Sequence, residues 1–181
     1  YIFFDDDGKI YIYYVKLSGG NKIHVAEMNE DLTAIKQETS LLCIEATDGW
    51  EVTDRIRVAE GPTVLKQEGK YYLFYSTNHF ENRDYAVGYA VSDSPIGPWT
   101  KFNGNPILNR EMIGAYGTGH GDFFKDKNGE YRYVFHTHYD NSRVQPRLTA
   151  IINGEFSAAS SQSPPVMSLD RETFKYLLIN N

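Results

Sequence analysis

VAEGPTVLKQEGKYYLFYS, residues 58 to 76, sets one acidic side chain, Glu60, between apolar Val58-Ala59 and turn-prone Gly61-Pro62, and follows it at once with β-branched and aromatic residues. The pattern predicts a strand, a turn at Gly69 and a returning strand, with a carboxyl at the entry to the first strand. Rigid backbone of that kind is the support a working side chain needs. A surface glutamate at a strand end has the same local signature, so the stretch gains meaning only from what surrounds it.

Its surroundings recur. The hairpin glycine Gly69 has counterparts in Gly8, in DDDGKIYIYY, and Gly129, in DKNGEYRYVF, at intervals of 61 and 60 residues. An apolar stretch precedes each glycine, a Tyr-rich or Phe-rich stretch follows it, and a third strand candidate comes later: Ile23 to Ala26, Tyr85 to Val91 and Arg147 to Ile151. Strands repeated at this spacing read as blades of a β-propeller, an all-β fold with about three blades in this chain. The repeats run over about 1–57, 58–113 and 114–156, with 157–181 as a C-terminal tail whose apolar part, Phe174 to Ile179, is expected to close a sheet or to meet further blades. Nine residues before the turn glycine stand Glu60 in the second copy and His120 in the third. If the first strand of every blade starts at the axis, these two converge on one mouth.

FFDDDGKIYIYYV, VAEGPTVLKQEGKYYLFYS, AVSDSPIGPWTK and GTGHGDFFKDKNGEYRYVFH, in this order and at these separations, resemble glycoside hydrolase family 43, five-bladed propellers that act on arabinose and xylose units of plant polysaccharides. The resemblance extends from Tyr1 to about Ile151. It implies that Glu60 is the general acid, that His120 lies at the floor of the site beside a calcium ion or a water, and that Arg147 meets substrate. It also implies two more acids, a base and an Asp that tunes the Glu, both at positions upstream of Tyr1. The chain then corresponds to the C-terminal three blades, and the missing N-terminal blades, or a second chain, are its expected partners. An inverting glycosidase needs a protonated carboxyl and an ionised one about 6.5–9.5 Å apart, so the isolated chain is expected to be inactive. A noncatalytic carbohydrate-binding or interaction module on the same scaffold is the alternative. The related fructan-cleaving clan fits less well, because its acid is followed by Cys where this chain has Gly61.

Composition narrows the class. The 181 residues carry a net charge of −6 and no Lys/Arg cluster, which argues against nucleic acid. No apolar stretch approaches the length of a membrane span. A secreted or periplasmic location is implied only by the polymeric substrates of the family. Cys43, the single cysteine, permits no disulfide within the chain and reads as a buried strand residue. No cofactor is required by this reading, a structural calcium being the one ion in view. Asp5, Asp6 and Asp7 read as a solvated hairpin tip, since they lack the spacing of a calcium loop. His136 and His138 share a strand face, a spacing open to metal ligation or to a structural use. Trp50 is expected either to stack on a sugar or to join the core, and Asn78, with His79 and Phe80, lies in a polar loop of the kind that carries specificity.

Overall fold

The computed structural model describes residues 1–47, 49–160 and 163–178. The first hairpin is β1 (Ile2–Phe4) with β2 (Ile10–Leu17), and β3 (Asn21–Glu27) and β4 (Leu41–Glu45) complete a four-stranded antiparallel sheet. The second sheet runs β5 (Ala59–Gln67), β6 (Lys70–Thr77), β7 (Ala86–Ser92) and β8 (Thr100–Lys101). After a single helical turn, α1 (Arg110–Ile113), the third sheet runs β9 (Gly119–Lys125), β10 (Tyr131–Thr137), β11 (Leu148–Phe156) and β12 (Met167–Tyr176). Each sheet is laid down in chain order by neighbouring strands, as in a propeller blade. The third blade therefore reaches past residue 156, because the tail supplies its outer strand. The end of the expected apolar run, Ile179, and Asp48 of the Thr47 to Trp50 turn lie outside the described residues.

The three turn glycines all adopt the left-handed conformation, with φ of 83°, 75° and 80° at Gly8, Gly69 and Gly129. In the second hairpin Glu68 also has positive φ, and the loop is only the pair Glu68-Gly69 between the partners Gln67 and Lys70, as the right-handed twist of a tight hairpin favours. The other two loops are longer and are held by aspartates: Asp7 Oδ1 accepts from Lys9 N–H, and Asp126 Oδ1 from Asn128 and Glu130 N–H.

The sheets stack face to face with the second in the middle. That position explains why YYLFYS does not alternate between apolar and polar: Tyr71 to Thr77 are all buried. Alternation still sorts them. Tyr71, Leu73 and Tyr75 pack with Tyr13, Ile23, Val25 and Ile44 of the first sheet. Tyr72 and Phe74 pack with Phe123, Tyr133, Phe135 and Ile152 of the third. A strand of period two thus feeds two cores at once, each buried ring contributing about 1.5–3 kcal/mol. Cys43 is half-buried at the edge of the first of these cores, rather than inside it.

The hairpin tip of the first blade differs from expectation. Asp6 and Asp7 are exposed, but the side chain of Asp5 is only 3% exposed; it pairs with Lys66 and accepts a 2.6 Å hydrogen bond from Tyr71 Oη. The cause is the neighbouring blade, which brings a cation and a phenol against what a lone hairpin would leave in water.

Candidate functional site

Glu60 and His120 stand second in β5 and β9, and the stacking of the blades brings them together: Glu60 Oε1 lies 3.8 Å from His120 Nδ1. Both strands carry a bulge at this point. Pairing shifts between Glu60 and Thr63 in β5, and opposite Val134 and His136 in β9, so one extra residue in each strand turns the side chains toward the shared opening. Gly61, at φ 58°, makes the approach feasible, since a Cβ there would stand 3.2 Å from the His120 ring. His120 itself has φ 50°, and its N–H donates to Ser76 Oγ at 2.8 Å. A non-glycine residue held at positive φ is strained backbone of the kind that clusters at working sites.

Two further residues complete the carboxylate's surroundings. Tyr85 Oη donates to Glu60 Oε1 at 2.8 Å and lies 3.3 Å from His120 Nδ1, and Asn21 Nδ2 donates to Oε2 at 3.0 Å. With the Tyr85 proton spent on Glu60, a neutral His120 reaches the phenol oxygen as a donor from Nδ1. Burial and the charge of Glu60 push the Tyr85 hydroxyl far above its ordinary pKa, so it stays a proton-bearing donor. Burial also pushes the Glu60 carboxyl up, but His120, Tyr85 and Asn21 more than offset it and hold the group below the usual glutamate value. The Glu60 side chain remains 19% exposed and His120 54%, so the cluster faces outward at the mouth.

Arg147 lies on the third-blade side of the opening. It is exposed, its Nη1 sits 2.8 Å from His136 Nε2, and its guanidinium lies 5.1 Å from the centre of the Phe80 ring. His136 in turn stacks on Tyr85 at 5.5 Å between centroids with the planes 7° apart. His136 lies in β10 and His138 just past its end, and the two do separate work, because His138 Nε2 bonds the Phe80 carbonyl at 2.9 Å and pins that loop to the third blade.

Other expected site residues lie elsewhere. Asn78 is wholly buried: its Oδ1 accepts from Thr53 N–H and Oγ1, and its Nδ2 donates to the carbonyls of Trp50 and Asp84. Those four bonds use all that an amide can make, leaving none for a sugar. Trp50 packs on Tyr75, 6.1 Å between centroids, and against Gly88, joining the core between the first and second blades. A cavity of about 510 Å³ lined by Gln67, Tyr131, Asn153 and Asp170 is at the opposite end of β5 from Glu60.

His120 has one carboxylate beside it, that of Glu60, at 3.8 Å. A calcium ion takes six to eight oxygen ligands, whereas no group of three or more His, Cys, Asp or Glu side chains among the described residues is placed to hold a metal.

The sequence does not single out Asn21, Tyr85 or Ser76, and it offers His136 only as a metal or structural histidine, yet a signal for all four is there. Ser76 and His136 both stand seven residues after their turn glycine, at the end of the second strand, and Asn21, Tyr85 and Arg147 each begin or immediately precede the third. Strand ends that meet the start of the first strand share its mouth.

A sequence model of Glycosyl hydrolases family 43 matches residues 1–158. The chain belongs to this family. Among family relatives, the beta-D-galactofuranosidase xynD of Aspergillus niger is 30% identical over 170 residues, 93% of this chain and 46% of that protein. The crystal structure of an endo-1,4-beta-xylanase from Bacteroides thetaiotaomicron is 46% identical with a TM-score of 0.86, covering 94% of this chain and 57% of that one. A thermostable family-43 glycoside hydrolase is 37% identical with a TM-score of 0.83, covering 93% and 56%. The chain thus spans about half the length of these proteins.

Proposed function

We propose that residues 1–181 form the C-terminal blades of an inverting glycosidase of arabinose- or xylose-containing plant glycans, with Glu60 as proton donor, His120 at the floor of the pocket and Arg147 as a sugar contact. The observation that carries the reading is the surroundings of Glu60: a half-buried carboxyl at the mouth, fixed by Tyr85 and Asn21 and open on its remaining side. Fixed geometry of this kind places an acid within reach of a leaving-group oxygen. Arabinoxylan and arabinan are the substrate class, and the galactofuranosidase among the relatives keeps furanosides in view beside xylosides. Such polymers lie outside the cell, which favours a secreted or periplasmic enzyme.

The ionisation of Glu60 bears on the missing partners. A general acid has to hold its proton near neutral pH, whereas the donors around Glu60 favour the charged form. The negative charge that raises it, and the carboxylate that activates water about 6.5–9.5 Å away, are assigned to residues outside these 181. In this reading the isolated chain turns over no substrate. The opposing view, a binding module without chemistry, draws on the same depressed ionisation. Assay of the longer protein on arabinofuranosides and xylosides separates the two: hydrolysis lost in Glu60→Gln supports the enzyme, and oligosaccharide binding without hydrolysis supports the module. Hydrolysis by residues 1–181 alone, abolished by Glu60→Gln, would overturn the assignment of the missing acids.

A further inference from the structure

We propose that His136 is a positioning residue of the mouth, accepting a hydrogen bond from Arg147 through Nε2 while its ring stacks on Tyr85, so that one imidazole sets both the cationic arm and the phenol that holds Glu60. The proposal rests on Arg147 meeting the sugar, as stated above.

The geometry leaves little freedom. Arg147 Nη1 and His136 Nε2 are 2.8 Å apart, and a guanidinium has only donors, so Nε2 accepts and the neutral ring carries its proton on Nδ1. Protonation at Nε2 would place two donors and two positive charges face to face. Burial, then Arg147, His120 and His138, hold the imidazole down at about 4, which keeps it a neutral acceptor across the range in which glycan hydrolysis is assayed. The guanidinium also lies over the Phe80 ring, 5.1 Å from ring centre to Cζ, and His138 fixes Phe80 through its carbonyl. Arg147 is therefore held by an acceptor and an aromatic face although it is exposed to solvent, and it approaches a sugar with its rotamer already chosen. Ordering a long cationic side chain in advance removes an entropic cost from binding.

His136 makes its second contact on the other side of the site. Its ring lies parallel to Tyr85 at 5.5 Å, and Tyr85 is fully buried, with Gly119 so close that a Cβ there would stand 2.5 Å from the phenol ring. The ring holds Tyr85 by shape and Arg147 by a hydrogen bond, and two substitutions separate those contributions. His136→Phe keeps an aromatic face for Tyr85 and removes the acceptor; His136→Gln keeps an acceptor oxygen and removes the ring.

In the longer protein, with aryl xyloside or arabinofuranoside as substrate, His136→Phe is expected to raise KM about tenfold with kcat within about threefold, the size of a lost hydrogen bond to a charged group. His136→Gln is expected to restore KM and to lower kcat instead, as Tyr85 and with it Glu60 loosen. Equal KM in the parent and His136→Phe, with turnover still dependent on Glu60, overturns the positioning role while leaving the glycosidase reading intact. A second readout is independent of turnover: the imidazole nitrogen spectrum of the longer protein is expected to show His136 protonated at Nδ1 with Nε2 as acceptor. A proton on Nε2 overturns the proposal whatever the protein hydrolyses.

Discussion

Glu51 and Glu60 each accept a hydrogen bond from the hydroxyl of a buried tyrosine of the second blade region, Tyr75 at 2.7 Å and Tyr85 at 2.8 Å, and differ in how the rest of the carboxylate is closed. The Glu51 side chain is 1% exposed and its other oxygen is closed by Thr47 N–H at 2.7 Å, Thr47 Oγ1 at 2.8 Å and Lys101 Nζ at 2.6 Å. Glu60 faces an amide and an imidazole rather than a lysine, and retains an open side. A carboxylate closed on every side by donors and a cation can only hold the fold together. One that is oriented but left incomplete can act on something else. The difference between the two lies in where the neighbouring blade ends, beside Glu51 with Lys101 of β8 and beside Glu60 with the start of β9.

Glu51 carries the largest expected effect on stability. Glu51→Gln removes one partner of a buried ion pair and is expected to cost about 3 kcal/mol of stability by denaturant unfolding, with turnover per folded molecule in the longer protein unchanged. A loss below about 1 kcal/mol would mean that the closed network contributes no more than a surface pair.

Next in size is Tyr85→Phe, which removes the phenol donor from Glu60. A drop of about tenfold in kcat/KM is expected. Because the Tyr85 hydrogen bond depresses the Glu60 carboxyl, its loss raises that pKa and moves the alkaline limb of the pH–rate profile to higher pH. An unmoved limb would detach the phenol from the acid's ionisation.

Gly61→Ala tests the close approach that Glu51 lacks. Positive φ together with a Cβ 3.2 Å from the His120 ring is expected to cost about 1–2 kcal/mol, with an added loss of turnover as His120 shifts. Full activity at unchanged stability would show that the contact between the two strands is loose.

The smallest effect is on pH dependence. Burial pushes Glu51 up, but Lys101, Thr47 and Tyr75 outweigh it and the group lies below the glutamate reference of 4.5. A depressed carboxylate adds stability above its unfolded-state pKa, and that stability is lost as pH falls through the folded value. The stability gap between parent and Glu51→Gln is therefore expected to be widest above pH 4.5 and to narrow below it. A gap that stays constant into acid would contradict the ion pair with Lys101.

Much of this was legible in the sequence because a repeat makes equivalent positions comparable. Gly8, Gly69 and Gly129 mark hairpins whose turns demand positive φ, and counting back nine residues from two of them reached Glu60 and His120. The same count forward by seven reaches Ser76 and His136, which composition alone does not distinguish from ordinary strand residues. Asn21, Tyr85 and Arg147 follow their glycines by 13, 16 and 18 residues, since loops of different length intervene, and a fixed period misses them. Asn78 and Trp50 illustrate the converse. Both look suited to sugar binding by residue type, and only the packed loop reveals that one is spent on backbone hydrogen bonds and the other on the core. Asp5 follows the same rule, because burial by an adjacent blade leaves no mark on the hairpin's own sequence.

If Glu60 delivers a proton to a departing oxygen, as proposed, its loss falls hardest on substrates with poor leaving groups. In the longer protein, Glu60→Gln is expected to slow hydrolysis of a phenyl xyloside or arabinofuranoside by about 10²–10⁴-fold, and to slow the dinitrophenyl glycoside of the same sugar far less, because that group departs without protonation. An equal loss on both substrates, or no loss on either, would contradict the account.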